Sequence, residues 1–169
     1  MTAGGTGRMV KEPKSAADYL QGTRQLGFDE LLEAHRSGAT ACPLPRKADS
    51  VRTARDVTRS TLRGWGLAEL SDDAALVVSE LVTNAVRYAL CSSAQGESAP
   101  ITLVLLHLSP HVLLAVTDPS DEVPTPKEPD FVSEHGRGLY IVETYSQRWG
   151  WDHLNRGGKA VWALFNGRR

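Results

Sequence analysis

Two pairs of apolar, β-prone segments place the strongest constraint on the fold of this chain. The pairs are 101–108 with 112–117, and 148–154 with 159–165. Short turn sequences, Ser109-Pro110-His111 and Asn155-Arg156-Gly157-Gly158, separate the members of each pair. Turn-forming residues between β-prone segments predict hairpins, so we expect two antiparallel strand pairs.

Three further segments have the apolar spacing of helices. One begins at Asp49 or Ser50, either of which can serve as the N-cap, and runs to about Arg63. The second begins at Ser71-Asp72-Asp73 and runs to about Ala89, and the third covers 138–147. The order helix, helix, strand, strand, helix, strand, strand predicts an α+β fold. We expect a two-layer sandwich with helices on one face of a mixed, mostly antiparallel sheet.

The N-terminal part of the chain has a different composition. Residues 1–48 open with glycines, lysines and small residues, which is typical of a largely flexible extension. Within it, 19–34 has a weak helical pattern, which is either a mobile tail or a short helix that docks on the domain or on a partner. Segment 42–45 has the sequence of an extended linker. We therefore predict an N-terminal extension over 1–48 and a domain over 49–169.

Charge and composition narrow the class of protein. The net charge of −1 among 169 residues gives no general attraction to nucleic acid. Two cysteines without metal-ligand spacing fit a reduced, cytoplasmic protein. The first residues lack the apolar core of a signal peptide, and no apolar run reaches the roughly 20 residues that cross a bilayer. We expect a cytoplasmic protein without direct membrane or nucleic-acid contact.

Glu80 and Asn84 are the first candidate site residues. They are four residues apart on the second predicted helix, so they share one face beside its apolar stripe. An isolated pair of this kind is most often a solvated polar pair. Its chemistry nevertheless suits a site, because an amide oxygen can ligate Mg²⁺ and a carboxylate can orient or deprotonate a hydroxyl group.

Two other segments carry candidate binding groups. Asp118 ends an apolar strand at the start of a proline-rich segment, where it is either a turn residue or an acceptor for an exocyclic amine. Gly136, Arg137 and Gly138 precede or begin the third helix. This is either a flexible junction or a place where backbone N–H groups and a guanidinium bind phosphate.

Taken in chain order, four segments resemble the nucleotide-binding boxes of the GHKL superfamily of gyrases, histidine kinases and MutL ATPases. Ser79–Ala89 is similar to the N box, Asp118–Ser120 to the first glycine box, and Gly136–Val142 to the second, while Gly157–Trp162 lies where the last box lies. The resemblance covers about 49–169. It is closest to the stand-alone serine-kinase anti-sigma factors.

The resemblance implies a Bergerat-type ATP-binding fold with ATP and Mg²⁺ as cofactors. By carry-over, Glu80 is the catalytic base or orienting carboxylate, Asn84 ligates Mg²⁺, and Asp118 binds the adenine amino group. The remaining cofactor-binding positions are Gly136, Arg137, Gly138 and Leu139. The segment 120–135 would form the ATP lid.

The same resemblance implies partners. Members of this group bind a sigma factor and phosphorylate a serine or threonine on an anti-anti-sigma antagonist, and dimerisation is a family expectation. The alternative is a non-catalytic, nucleotide-gated interaction module. Two departures leave that alternative open: Ser120 and Glu122 stand at glycine positions of the first box, and Ala160 stands where a threonine is common, which removes a hydroxyl near the nucleotide.

Overall fold

The computed structural model describes residues 27–91, 100–120 and 138–167. Within these ranges the helices are α1 (Phe28–Ala34), α2 (Ser50–Gly64), α3 (Ser71–Cys91) and α4 (Gly138–Tyr145). The strands are β1 (Ala39–Leu44), β2 (Ile101–Leu108), β3 (His111–Asp118), β4 (Arg148–His153) and β5 (Lys159–Asn166). The three predicted helices and both predicted hairpins are therefore present, with ends that differ by a few residues.

The five described strands form one sheet in the order β1-β2-β3-β5-β4. Every neighbouring pair is antiparallel, so the described sheet is antiparallel throughout rather than mixed. β5 pairs with β3 and not only with β4, its hairpin partner. This pairing sets Asp118 directly opposite Lys159 at one end of the sheet.

Helices α2, α3 and α4 cover one face of the sheet. In β3, Val112, Leu114 and Val116 point into this layer, because alternate residues of a strand face the same side. On α3, the buried stripe consists of Ala74, Val77, Val78, Leu81, Val82 and Ala85. Each fully buried aliphatic side chain of this size contributes about 1.5–3 kcal/mol to the stability of the fold. The layer fixes α3 on the sheet and with it the candidate site residues.

Helix α1 packs on the opposite face. Phe28 and Leu31, which are 1% and 3% exposed, join a second apolar cluster with Trp162 of β5. The backbone N–H of Asn155, in the turn between β4 and β5, donates to Oδ2 of Asp29 at 2.8 Å. The helical pattern in 19–34 thus forms a docked helix from Phe28 onward, and residues 1–26 lie outside the described part of the chain. Helices therefore lie on both faces of the sheet.

Strand β1 corrects the interpretation of 42–45 as a linker. Its residues pair with β2 along the edge of the sheet, from Ala39 opposite Leu106 to Leu44 opposite Ile101. Both β1 and α1 precede the predicted boundary at Asp49, so the ordered fold extends further toward the N terminus than the sequence pattern indicated. The sequence pattern did not predict β1 because the segment contains Pro43, which argues against a strand. Proline is nevertheless tolerated on an edge strand.

The start of α2 also differs from the expectation. Neither expected capping residue provides a side-chain cap: Asp49 has helical backbone angles, and the hydroxyl of Ser50 donates back to the carbonyl of Pro45.

Among the described helices, none is long and apolar enough to cross a membrane.

Candidate functional site

The first part of the candidate site lies where α4 begins against α3. Glu80 and Asn84 are half-buried on α3 and face the first residue of α4, Gly138. A methyl group built on Gly138 would lie 2.9 Å from Glu80 Oε2 and 3.3 Å from Asn84 Nδ2. A side chain at position 138 would therefore enter the space next to both polar groups. One helix face therefore presents both groups to the same neighbouring segment, as their four-residue spacing predicts.

Burial changes the acid–base properties of Glu80. Desolvation raises the pKa of its carboxyl group above the ordinary value, and the positive charge of Arg87 partly offsets this effect. Burial disfavours the charged form of a carboxylic acid, which is the usual cause of such a shift. A glutamate with a raised pKa is better suited to accept a proton near neutral pH.

The second part of the site lies at the end of β3. Asp118 is 3% exposed at its side chain and forms an ion pair with Lys159, which is 4% exposed, with Nζ 3.0 Å from Oδ1. The same Oδ1 accepts the backbone N–H of Ser120 at 2.8 Å, and Lys159 Nζ also donates to the carbonyl of Ser120 at 3.1 Å. A buried ion pair is tolerated when hydrogen bonds of this kind satisfy its remaining groups.

Two opposing effects act on the pKa of Asp118. Burial is the larger one and raises the pKa, while the charge and hydrogen bond of Lys159, the Ser120 N–H and the charge of Arg46 lower it. The carboxyl group is therefore poorly solvated, and the positive charges of Lys159 and Arg46 favour its ionised form. Sequence reasoning named Asp118 but missed both cations, whose approach depends on the pairing of β3 with β5 and on the end of β1.

Gly158 allows the two strand ends to approach. Its φ angle is +79°, a left-handed conformation that glycine adopts without steric strain. A side chain at this position would also collide with the backbone carbonyl of Asp118 and approach the Cα of Pro119 to 2.9 Å. The glycine pair of the last box thus has a structural reason, because it brings Lys159 next to Asp118.

Ala160 does not lie on the side of the sheet that carries Asp118. Ala160 lies in the cluster on the α1 side of the sheet, together with Trp162, whereas Val161 faces the helices. A threonine at position 160 would therefore point away from Asp118. By alternation, the β5 residue that reaches the candidate site is Lys159.

The other predicted positions are only partly described. Leu139 is half-buried in the first turn of α4. Gly136, Arg137 and the expected ATP lid beyond Ser120 lie outside the described residues, as does Glu122. Of the seven candidate positions, Glu80, Asn84 and Gly138 are brought together, and Asp118 lies on the same helix-covered side of the sheet.

Comparison with protein-family models shows to which family the chain belongs. The family model of the histidine kinase-like ATPase domain matches residues 44–165. The chain belongs to this family. The matched region begins at Leu44, the last residue of β1, and includes Glu80, Asn84 and Asp118. Membership of an ATPase-domain family makes this an ATP-binding domain by class. No curated protein sequence gives a significant match.

Solved structures share the fold. The structure of the RsbU and RsbW domains of Rv1364c from Mycobacterium tuberculosis superposes with a TM-score of 0.56 at 21% identity. That alignment covers 76% of this chain but only 31% of the Rv1364c chain. The SiaB–SiaC complex from Pseudomonas aeruginosa gives a TM-score of 0.56 at 12% identity and covers 84% of this chain and 100% of that chain. At these identities the similarity establishes the α+β fold.

Proposed function

We propose that this protein is a Mg-ATP-binding regulator that acts as an anti-sigma factor and phosphorylates a serine or threonine of an anti-anti-sigma antagonist. The observation that carries the proposal is the position of Gly138, where the start of α4 meets both Glu80 and Asn84. The start of a helix favours bound anions, and the two side chains beside it supply oxygen atoms. Phosphate groups and a hard cation would both be bound favourably there.

The donor groups fit a magnesium ion that is shared with phosphate. In the described part of the chain, no three His, Cys, Asp or Glu side chains form a cluster that could hold a metal ion. Mg²⁺ commonly takes one or two protein ligands and completes its shell with substrate phosphates and water. Asn84 would supply the protein oxygen, and the metal would neutralise phosphate charge when bound.

The other residues complete the proposed site. Asp118 would accept a hydrogen bond from the adenine amino group, because its Oδ2 accepts no hydrogen bond from the described residues. Gly136, Arg137 and Gly138 would hold the phosphates, with backbone N–H groups and a guanidinium that pairs with phosphate oxygens.

Glu80 is assigned the role of acting on the hydroxyl group of the protein substrate. In the proposed transfer, the hydroxyl oxygen of a serine or threonine forms a bond to the γ-phosphorus of ATP. The bond from that phosphorus to the bridging oxygen breaks, ADP leaves, and Glu80 orients the hydroxyl or accepts its proton. Its raised pKa supports this role, since proton acceptance improves as the pKa approaches the working pH.

The proposed partners follow the family resemblance and gain support from one related fold. One of the solved structures that share the fold is a complex of two proteins, SiaB and SiaC. A sigma factor and an anti-anti-sigma protein are the partners proposed for this chain. A homodimer is proposed as its assembly.

Nucleotide binding is tested by thermal unfolding with and without Mg-ATP. Ligand at about 100 times its Kd stabilises a protein by about 2.7 kcal/mol, which corresponds to a rise of several degrees in Tm. We expect this rise in the wild type, a smaller one in Asn84→Ala, and the full rise in the control Glu69→Ala, which removes an exposed carboxylate from the turn before α3. A wild type without any rise at millimolar Mg-ATP would contradict the proposal.

Phosphate transfer is tested separately. Wild type and Glu80→Ala are incubated with Mg-ATP and candidate anti-anti-sigma proteins, and ADP release and phosphoprotein are measured. Loss of a general base lowers a rate by about 10²–10⁴ while leaving much of the ATP affinity. Equal rates in both proteins would refute the role of Glu80. ATP binding without transfer to any candidate would favour the nucleotide-gated interaction module instead.

A further inference from the structure

Lys159 is a buried cation next to Asp118, and the site proposed above gives it no role. Its ammonium group has three N–H donors, of which two are occupied by Asp118 Oδ1 and the carbonyl of Ser120. The third has no acceptor among the described residues. The ammonium group of Lys159, whose side chain is 4% exposed, therefore has one N–H donor left for a ligand.

Asp118 has a matching acceptor. Both hydrogen bonds to its carboxylate end on Oδ1, and Oδ2 accepts none from the described residues. Since Lys159 Nζ lies 3.0 Å from Oδ1, an acceptor and a donor stand side by side at the end of the sheet. Both belong to the helix-covered side, on which Glu80 and Asn84 lie.

We propose that Lys159 and Asp118 together read the base of the nucleotide, with Lys159 as a specificity-determining residue. The polar edge of adenine carries an amino group next to an unprotonated ring nitrogen, N1. Asp118 Oδ2 accepts a hydrogen bond from the amino group, and the third N–H of Lys159 donates to N1. This inference rests on the proposed ATP site and adds a second contact to the base.

The ion pair also positions the carboxylate. The bonds from Lys159 and from the Ser120 N–H hold Oδ1 at two points, which fixes the rotation of the carboxylate and leaves Oδ2 for the ligand. Guanine presents the reverse pattern at the corresponding two positions, an acceptor oxygen next to a protonated nitrogen. Because Asp118 offers an acceptor and Lys159 a donor in this order, the pair discriminates against guanine.

The decisive experiment compares ATP with 1-deaza-ATP, in which a C–H replaces N1, by calorimetric titration of the full chain with Mg²⁺. A hydrogen bond to a charged group changes affinity by about 10- to 100-fold. We expect the wild type to bind ATP more tightly than 1-deaza-ATP by this factor and to bind GTP more weakly still. In Lys159→Met, the preference for ATP over 1-deaza-ATP should disappear.

Several outcomes separate this inference from the proposed function. Equal affinity of the wild type for ATP and 1-deaza-ATP, or tighter binding of GTP than of ATP, would overturn the role of Lys159 and leave nucleotide binding intact. No binding of any nucleotide would overturn both. Because Lys159→Met leaves a buried carboxylate without its partner, the double variant Asp118→Asn/Lys159→Met serves where the single variant fails to fold. A preference for ATP over 1-deaza-ATP that persists in the folded variant would refute the contact to N1.

Discussion

Substitution of Gly138 by alanine tests the candidate site without removing any polar group. Gly138 is the first residue of α4 and does not have a positive φ, so its backbone accepts an alanine. The new methyl group would lie 2.9 Å from Glu80 Oε2 and 3.3 Å from Asn84 Nδ2. Both contacts are shorter than ordinary van der Waals distances, so the two side chains must move away.

The effect on stability should be small. The atoms that must move are the ends of half-buried side chains, which rotate at little cost. We therefore expect the Tm of the ligand-free variant to stay within a few degrees of the wild type. The effect on nucleotide binding should be larger, because misplacement of a binding group by about 1 Å is enough to lose its interaction.

A tenfold rise in Kd sets the scale of the expected change. At a Mg-ATP concentration of about 100 times the wild-type Kd, the wild type gains about 2.7 kcal/mol and the variant about 1.4 kcal/mol. At about 2–4 °C per kcal/mol, the variant loses about 3–5 °C of the ligand-induced rise in Tm. Phosphate transfer should fall by about 100-fold, since Glu80 is displaced as well.

The matched control is Gly64→Ala at the end of α2. A methyl group built there meets no atom within 4 Å, so the same substitution is made in a helix without any steric effect. Gly64→Ala should keep the full ligand-induced rise. The reasoning is refuted if Gly138→Ala, folded and equally stable, keeps both the full rise and the wild-type transfer rate.

Three further predictions concern packing and charge. Gly150→Ala should lower the free energy of unfolding by about 1–3 kcal/mol in urea titration, because its methyl group would lie 2.6 Å from a buried indole ring, and an unchanged value would contradict this packing. Gly158→Ala should lower the free energy of unfolding by about 3 kcal/mol, because the residue has a left-handed φ and a methyl group there collides with the Asp118 backbone. At the neighbouring Gly157 a methyl group meets no atom within 4 Å, so Gly157→Ala should lower it by only about 1 kcal/mol. Equal losses in the two variants would contradict this difference. ATP affinity should fall as the pH is lowered through the raised pKa of Asp118, because the neutral carboxyl group is a weaker acceptor for the adenine amino group than the carboxylate and no longer forms an ion pair with Lys159. Calorimetric titration should place this loss of affinity at a higher pH than an ordinary aspartate would, and a flat profile would contradict the prediction.

Local patterns sufficed for the helices and hairpins. The apolar stripe of α3 fixes its helical periodicity, and with it the shared face of Glu80 and Asn84, since positions four apart lie on one side of a helix. Likewise, the turns before His111 and Lys159 are short enough to fold locally. These predictions needed no information about distant parts of the chain.

The N-terminal region shows where local reasoning was insufficient. Helix α1 has only seven residues, too few to be stable in isolation, and it is held by the burial of Phe28 and Leu31 on the sheet. Strand β1 exists because β2 offers it an edge. The sequences of these short segments do not indicate that the sheet face covers α1 or that β2 pairs with β1. Their local pattern therefore indicated a flexible extension.

The sequence by itself determined three helices, two hairpins, their order and the shared face of Glu80 and Asn84, because helix and hairpin periodicities are local properties. Only the tertiary structure decided that β3 pairs with β5, that Gly138 meets α3, and that Lys159 rather than Ala160 faces Asp118. These contacts join residues far apart in the chain, and their geometry depends on strand register, in which a shift of one residue exchanges the two faces of the sheet.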